Sequence, residues 1–395
     1  MLGAIYNSLS GMDAFTKGLQ TISNNVSNLN SSGFKAQTVS FNALTDGGRG
    51  GALRGSGAGD GGNGVRTNDP ITDFSQGDLQ QTSNDLDLGI QGNGFLTVVN
   101  KDGQVFYTRT GSFTVDKDGY ISDQITGNRL AVIGNTGLPE SINLNNKQTS
   151  APVATTEISF LNNLSSSGTS ATVSNIAVFD DQGGEQVWTA AFTKSSAQGV
   201  TNSWDVTIKD ANGAAVGSGT IRFIGSSADP SASKIVISNS PTGASPLSVT
   251  LDFSGVTSFS AGTASTLSAQ PGDGLAAGTL SAVTLGNDGQ LVLTYSNQKT
   301  LKAGAVALAD FQDPQNLRHL DNGLYASAGG HAARLTVSGS EGVGTIKGKS
   351  IEASNVDLSR QFGSLIVIQR GFQACSQVLS VTNDMIQQLF SIRGQ

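Results

Sequence analysis

The chain is poor in cysteine, histidine, charge and long apolar runs, and each shortage closes off a class of function. Cys375 is the only cysteine, so no internal disulfide can form. Two histidines, His319 and His331, are too few for a structural zinc site. Charged residues make up 13% of the 395 and the net charge is -7. Lysine and arginine nowhere cluster, which excludes nucleic acid as a partner, because phosphate binding needs grouped cations. The longest aliphatic run, "LIVI" at 365–368, falls far short of the roughly 20 residues a bilayer demands, so no membrane-inserted helix is expected. The opening "MLGAIYNSLSGMDA" has neither the basic start nor the unbroken apolar stretch of a cleavable secretory signal. The expectation is export that leaves the N-terminus in place.

What the chain has instead is 51 glycines and abundant serine, threonine and asparagine, so its polarity comes from hydroxyls and amides. At the N-terminus Leu2, Ile5, Leu9, Met12, Phe15, Leu19, Ile22, Val26 and Leu29 recur at steps of three or four, a helical stripe of coiled-coil type. Only Asp13 and Lys17 are charged in residues 1–34, and Gly33 is placed to stop the helix. At the far end, after a capping candidate among Ser354, Asn355 and Asp357, a second stripe runs Leu358, Phe362, Leu365, Phe372, Leu379, Ile386 and Leu389. Past Gln361 only Arg370, Asp384 and Arg393 are charged. A helix facing water normally carries charge outward and gains from i,i+4 ion pairs. These two are built to pair with each other and to be surrounded by further copies. Short helix pairs of this kind are marginal in water, so the ends are expected to order on assembly.

Between the helices the pattern is β. Residues 35–69 read as a Gly-rich linker, densest at 47–64, where ten of eighteen residues are glycine, including Gly47, Gly48, Gly50, Gly51, Gly61, Gly62 and Gly64. These and Gly33 are the hinge candidates. Residues 70–140 and 279–350 read as one discontinuous β body, with Asp-Gly hairpin signals in "KDGQ" and "KDGY". Residues 141–278 read as an inserted β-sandwich or barrel built from alternating strands such as "VWTAAFTK" and "LSVTLDF". The fold class expected is mixed α+β: helices 1–34 and 351–395 form a coiled-coil-like inner domain, and two mainly antiparallel β domains are nested between them.

No constellation of catalytic residues emerges, and neither enzymatic activity nor a cofactor is expected. "GVGTIKGKS" misplaces the first glycine of a phosphate loop by one position. "DKDG" lacks the glycine and glutamate spacing of a calcium loop. Cys375 sits inside the second helix with neither histidine near in sequence, which favours packing over nucleophilic chemistry.

The terminal signatures carry a resemblance. "SLSGMDAFTKGLQTISNNVSNLNSSGFK" and "EASNVDLSRQFGSLIVIQRGFQACSQVLSVTNDMIQQL" resemble the N- and C-terminal signatures of bacterial flagellar rod and hook proteins. "GNGFLTVV", "YTRTGSFTVDKDGYI" and "YSNQKTLKAGAVALADFQDPQNL" are similar to the body domain of that family. Length and the central insert point to its hook members; a distal rod subunit is the alternative, and a secreted β-rich adhesin a more distant one. The resemblance implies self-assembly into a curved tube outside the cell that transmits torque and encloses an export channel. The implied partners are rod and hook–filament junction proteins, a hook-capping scaffold and the type III export apparatus. Two positions depart from the family pattern: Gln298 replaces a usual glycine, and Thr45 stands where the export motif wants an apolar residue.

Overall fold

In the computed structural model the described residues are 2–44, 64–134, 136–196, 202–239, 246–327, 333–340 and 342–393. The chain divides into two compact units: Met1–Leu144, Val283–Val292 and Lys302–Gln395 form the first, and Asn145–Ala282 with Leu293–Leu301 form the second. The second unit therefore takes back a short segment beyond the contiguous 141–278 insert expected from composition.

The first unit contains both helices, α1 (Leu2–Ser27) and α2 (Leu358–Arg393). Its body is one large sheet whose central path runs from Leu317–His319 through Tyr325–Ser327, Val105–Thr108, Phe95–Val99, Arg129–Ile133, Ile121–Asp123, Thr110–Val115 and Asp87–Gln91 to Thr345–Gly348. Neighbours on that path pair antiparallel. Leu88, Ile90, Leu96, Phe113 and Leu130 are fully buried in it. Asp87–Gln91 is covered on both faces, because the strand pair Leu79–Gln81 and Ser350–Glu352 crosses it. A Cβ on Gly89 would come within 3.0 Å of the Leu79 side chain and 3.2 Å of the Ser350 carbonyl, so a larger residue there would have to push its neighbours back.

Most of the second unit is a nine-stranded sheet around one core, and Thr149–Ser150 pairs instead with Gly278–Leu285 in a separate four-stranded sheet. Its strands alternate as a half-buried strand should: in Glu185–Lys194, Trp188, Ala190 and Phe192 face inward. Phe160 stacks on Phe253 at 4.6 Å between ring centres, and Phe192 meets both edge-on. The pairing is antiparallel except between Glu157–Asn163 and Leu247–Thr257, which run parallel.

One five-residue turn recurs in both units. In Asn100–Gln104, Asp116–Tyr120, Asp180–Gly184, Asp210–Ala214, Gly286–Gln290 and Tyr295–Lys299, the first and fifth residues pair, and the fourth N–H donates to the first carbonyl. The Asp-Gly signals thus mark three-residue loops with a left-handed fourth residue rather than two-residue hairpins. At that residue Gly103, Gly119, Gly183, Gly213 and Gly289 have φ between 72° and 85°. Gln298 occupies the same place at φ 65°, where a side chain costs about 1 kcal/mol. Gln298→Gly is expected to stabilise the second unit by about 0.5–1 kcal/mol, read as a raised denaturant midpoint at unchanged slope.

Candidate assembly and coupling site

The sequence spacing predicts a helix through residue 34; the structure ends α1 at Ser27 and uses the asparagine-rich stretch to turn the chain into the body. Both helices are formed and paired in the single chain. Four contacts fix their antiparallel register: Gly11 lies against Cys375, Phe15 against Gly371, Gly18 against Ile368, and Asn25 donates to Gln361 at 3.2 Å. Each step forward on α1 is matched by a step back on α2. Three of the four contacts use a glycine as a notch. A Cβ on Gly11 would lie 2.8 Å from the Cys375 sulfur, and one on Gly18 would lie 2.6 Å from Ile368 Cδ1. Phe15 fills the space that a side chain on Gly371 would need. The backbones close up because nothing stands between them.

This notching rotates the seam away from the apolar stripe that the spacing suggests. On α1 the buried positions are Ser8, Gly11, Ala14, Gly18, Ile22 and Asn25. Four of them stand one place before Leu9, Met12, Leu19 and Val26, consistent with helical side chains leaning toward the N-terminus. Of the expected α1 residues only Ile22 is buried; Ile5, Met12, Phe15, Leu19, Val26 and Leu29 are half-buried, and Leu9 is exposed. Leu2 has no described side chain. On α2 the covered positions keep a strict heptad: Gln361, Leu365, Ile368, Phe372, Cys375, Leu379, Thr382 and Ile386. Leu365, Phe372, Leu379 and Ile386 are thus seam residues, whereas Leu358, Phe362 and Leu389 face outward. The other half of the α2 seam escaped apolar counting because it includes an amide, a thiol and a hydroxyl.

Polar side chains tie this pair to the body. Asn25, fully buried, exchanges two hydrogen bonds with the Gln37 backbone at 2.7 and 2.9 Å. Asp357 caps α2 by accepting from the Ser359 and Arg360 amides. Asn355 instead accepts from Ala36 N–H and donates to the Asp73 and Ser75 carbonyls, joining three segments. The Gly33 N–H, at φ 69°, donates to the Glu352 carbonyl at 2.7 Å. Gly64, at φ 104°, packs on Ser10, whose hydroxyl accepts from Val65 N–H. Both glycines sit where the chain is pinned. The remaining hinge candidates Gly47, Gly48, Gly50, Gly51, Gly61 and Gly62, together with Thr45 and His331, lie outside the described residues.

At the centre of the joint is a buried ion cluster. Lys35 Nζ donates to Glu352 Oε1 at 2.6 Å and to the Ser75 carbonyl at 2.6 Å. Arg109 Nε donates to Glu352 Oε2 at 3.0 Å, and its two terminal nitrogens donate to the Gly94 and Gly92 carbonyls. The Gly77 N–H also donates to Glu352 Oε1, at 2.8 Å. Lys35 and Glu352 have no exposed surface, and Arg109 only 4%. Burial lowers the Lys35 pKa from its ordinary value, while the Glu352 charge works in the opposite direction. Nothing in the cluster is poised for chemistry, since each oxygen and nitrogen is committed to a structural partner. His319 packs edge-on against Phe34 and Tyr325. Among the described residues no group of three or more potential ligands could hold a metal, and no helix is long and apolar enough to cross a membrane.

Three family patterns match the chain: "Flagella basal body rod protein" over 5–35, "Flagellar hook protein FlgE/F/G D1 domain" over 89–159, and "Flagellar basal body rod FlgEFG protein C-terminal" over 347–392. The flagellar hook protein FlgE of Escherichia coli K12 is 28% identical over 99% of this chain and all of its own length. That of Rhizobium meliloti is 27% identical over 100% of this chain and 99% of its own. The crystal structure of Helicobacter pylori hook protein FlgE2 matches 69% of this chain and all of its own length, with a TM-score of 0.50 at 13% identity.

Two substitutions test this geometry, with a third as their exposed counterpart. Glu352→Gln strands two buried cations and is expected to cost about 3–5 kcal/mol in denaturant unfolding. Asp13→Asn, which breaks the exposed 3.0 Å pair with Lys17, should cost less than about 0.5 kcal/mol. Gly371→Ala raises intrinsic helix propensity by about 1 kcal/mol yet collides with Phe15. It should therefore lower, not raise, the melting of helical circular dichroism.

Proposed function

We infer the working form of this chain from its kin: it belongs to the bacterial flagellar rod and hook protein family and is a structural subunit of the flagellar hook. The observation that carries the hook reading over a distal rod one is the extent of the match. Relatives named as hook proteins align over 98–100% of the chain, including the central β unit.

We propose that the helix pair is a coiled-coil-like inner layer of the tube, around the export channel, with the two β units outside it. The support is what the pair leaves uncovered. Val367, Ala374 and Val381 recur every seven residues on the exposed side of α2, and Val378 and Met385 form a parallel row. This is a second heptad seam without a partner in the single chain. Its only charged neighbours are Arg370 and Asp384, which are opposite in sign, so helices of further copies can pack there with little charge to bury. The chain is read as a structural protein and not an enzyme. Its proposed partners are other copies of itself, the rod and hook–filament junction proteins, the hook-capping scaffold and the type III export apparatus, with the working location outside the cell.

The pair buries few large side chains within one chain, so its stability is expected to come mostly from assembly. Purified full-length chain should polymerise into curved tubes visible by electron microscopy. Amide exchange over 367–389 should slow at least a hundredfold from monomer to polymer. Straight rods would favour the distal rod reading, and a chain that stays monomeric at all concentrations would defeat both.

A further inference from the structure

Resting on the hook reading, we propose that the last turns of α2, with Met385, Leu389 and Phe390, seat in a groove at the opposite end of the helix pair of a second copy. The groove has a volume of about 580 Å³. Gly18 and Ile22 of α1, Val39 and Phe41 of the segment that follows, and Gly363 and Val367 of α2 line it. Its floor is open: a Cβ on Gly363 would meet nothing within 4 Å. Part of its apolar lining is uncovered, with Val367 68% and Phe41 40% exposed above the buried Gly18 and Ile22. In the other direction, α2 runs past Asp384, which faces Leu2 in the common register, so the turns beyond have no α1 beside them. Phe390 is 70% exposed there, with Met385 and Leu389 each about half exposed.

The two features cannot satisfy each other within one chain. Val367 and Leu389 lie on the same continuous helix, about 33 Å apart at 1.5 Å per residue. The occupant is therefore another copy, and an end-to-end contact between unlike surfaces does not close on itself; it propagates as a filament. Charge is close to balanced at this contact: the four end carbonyls of α2 bring the negative end of its dipole to the exposed Arg360 that lines the groove, and Arg393 in the same turn offsets it. Burying Phe390 removes from water the large apolar side chain that one copy leaves most exposed on α2, among the described residues.

The test uses full-length chain with Cys375→Ser, carrying Phe390→Cys in one preparation and Gly363→Cys in another. The two are mixed, polymerised, mildly oxidised and run on a denaturing gel without reductant. A mixed disulfide dimer is expected in tubes, and none when Ser376→Cys, at an exposed α2 position away from the groove, replaces Gly363→Cys. Tubes that form without the Phe390–Gly363 cross-link, or that cross-link equally to position 376, overturn the proposal and leave the hook reading standing. Failure of the unsubstituted chain to form any tube removes the reading and the proposal together. As a second measure, Phe390→Asp should raise the concentration needed for assembly at least tenfold while leaving monomer melting unchanged, and Phe390→Leu should restore it. Unchanged assembly by Phe390→Asp also overturns the proposal.

Discussion

Glu352 holds the first unit together. It lies where the chain leaves the β body for α2, and it is reached by Lys35 just after α1, by Arg109 from the body sheet and by the Gly77 amide. Two long helices joined to a sheet by flexible strands would flex at the joint under load. A carboxylate held by two cations and a backbone amide, shielded from solvent, resists both stretching and rotation, because moving any partner leaves a charge unpaired in a low-dielectric interior. Asn25, Asn355 and the Gly33 amide surround it with further directional bonds. Force entering along the helices therefore reaches the sheet through a stiff polar weld rather than a greasy contact that can slide.

The helices follow a different rule. Their mutual seam sets glycine notches, a thiol and an amide among half-buried Leu365, Phe372, Leu379 and Ile386, so it brings the backbones close while fully burying few large side chains. The leucines and valines that a solitary helix pair would turn inward are left on the flanks. Residues such as Val367 and Phe390 are a liability in a monomer and a binding surface in a crowd. Strong welding at Glu352 and weak pairing along α1 and α2 are complementary: one preserves the shape of the subunit, the other reserves binding energy for neighbours.

Much of this was legible in the sequence, and the failures have definite causes. The stripes at both ends, the low charge and the Asp-Gly turns identified two helices and a β interior, because periodicity and turn chemistry are local. The face of each helix that meets its partner was not legible. Gly11, Gly18 and Gly371 carry no hydrophobicity, so counting apolar residues assigned the seam to Leu9 and Leu19 rather than to Ser8 and Gly18. Lys35, Arg109 and Glu352 are separated by up to 317 residues and look like ordinary surface charges until the fold brings them together. One signal was available: in a chain this short of charge, a lysine and a glutamate standing at the inner ends of the two helical signatures are conspicuous. Gln298 stands out as a departure from glycine, and its positive φ gives that departure a physical meaning.

A tube that turns while bent must let each subunit change its distance to its neighbours without losing them. Surfaces of hydroxyls and amides suit this, because one hydrogen bond exchanges for another of similar strength as they shift, and screened charge contributes little either way. A broad interlocking apolar surface would instead settle into one register and resist leaving it, since close-packed side chains must separate before they can re-engage. The division within this chain follows that logic. Among the described residues, exposed large apolar side chains are denser along the helices than elsewhere, although Ile125, Leu138, Ile224 and Val236 also stand out from the β elements and loops, whose surfaces are otherwise rich in serine, threonine and asparagine. The second unit encloses its two tryptophans and a ring of phenylalanines, which makes it a rigid body whose contacts with neighbours can stay shallow. Under the proposed arrangement, with the helices innermost, permanence falls to the inside of the tube and mobility to its outside, by where the sequence places its large apolar side chains.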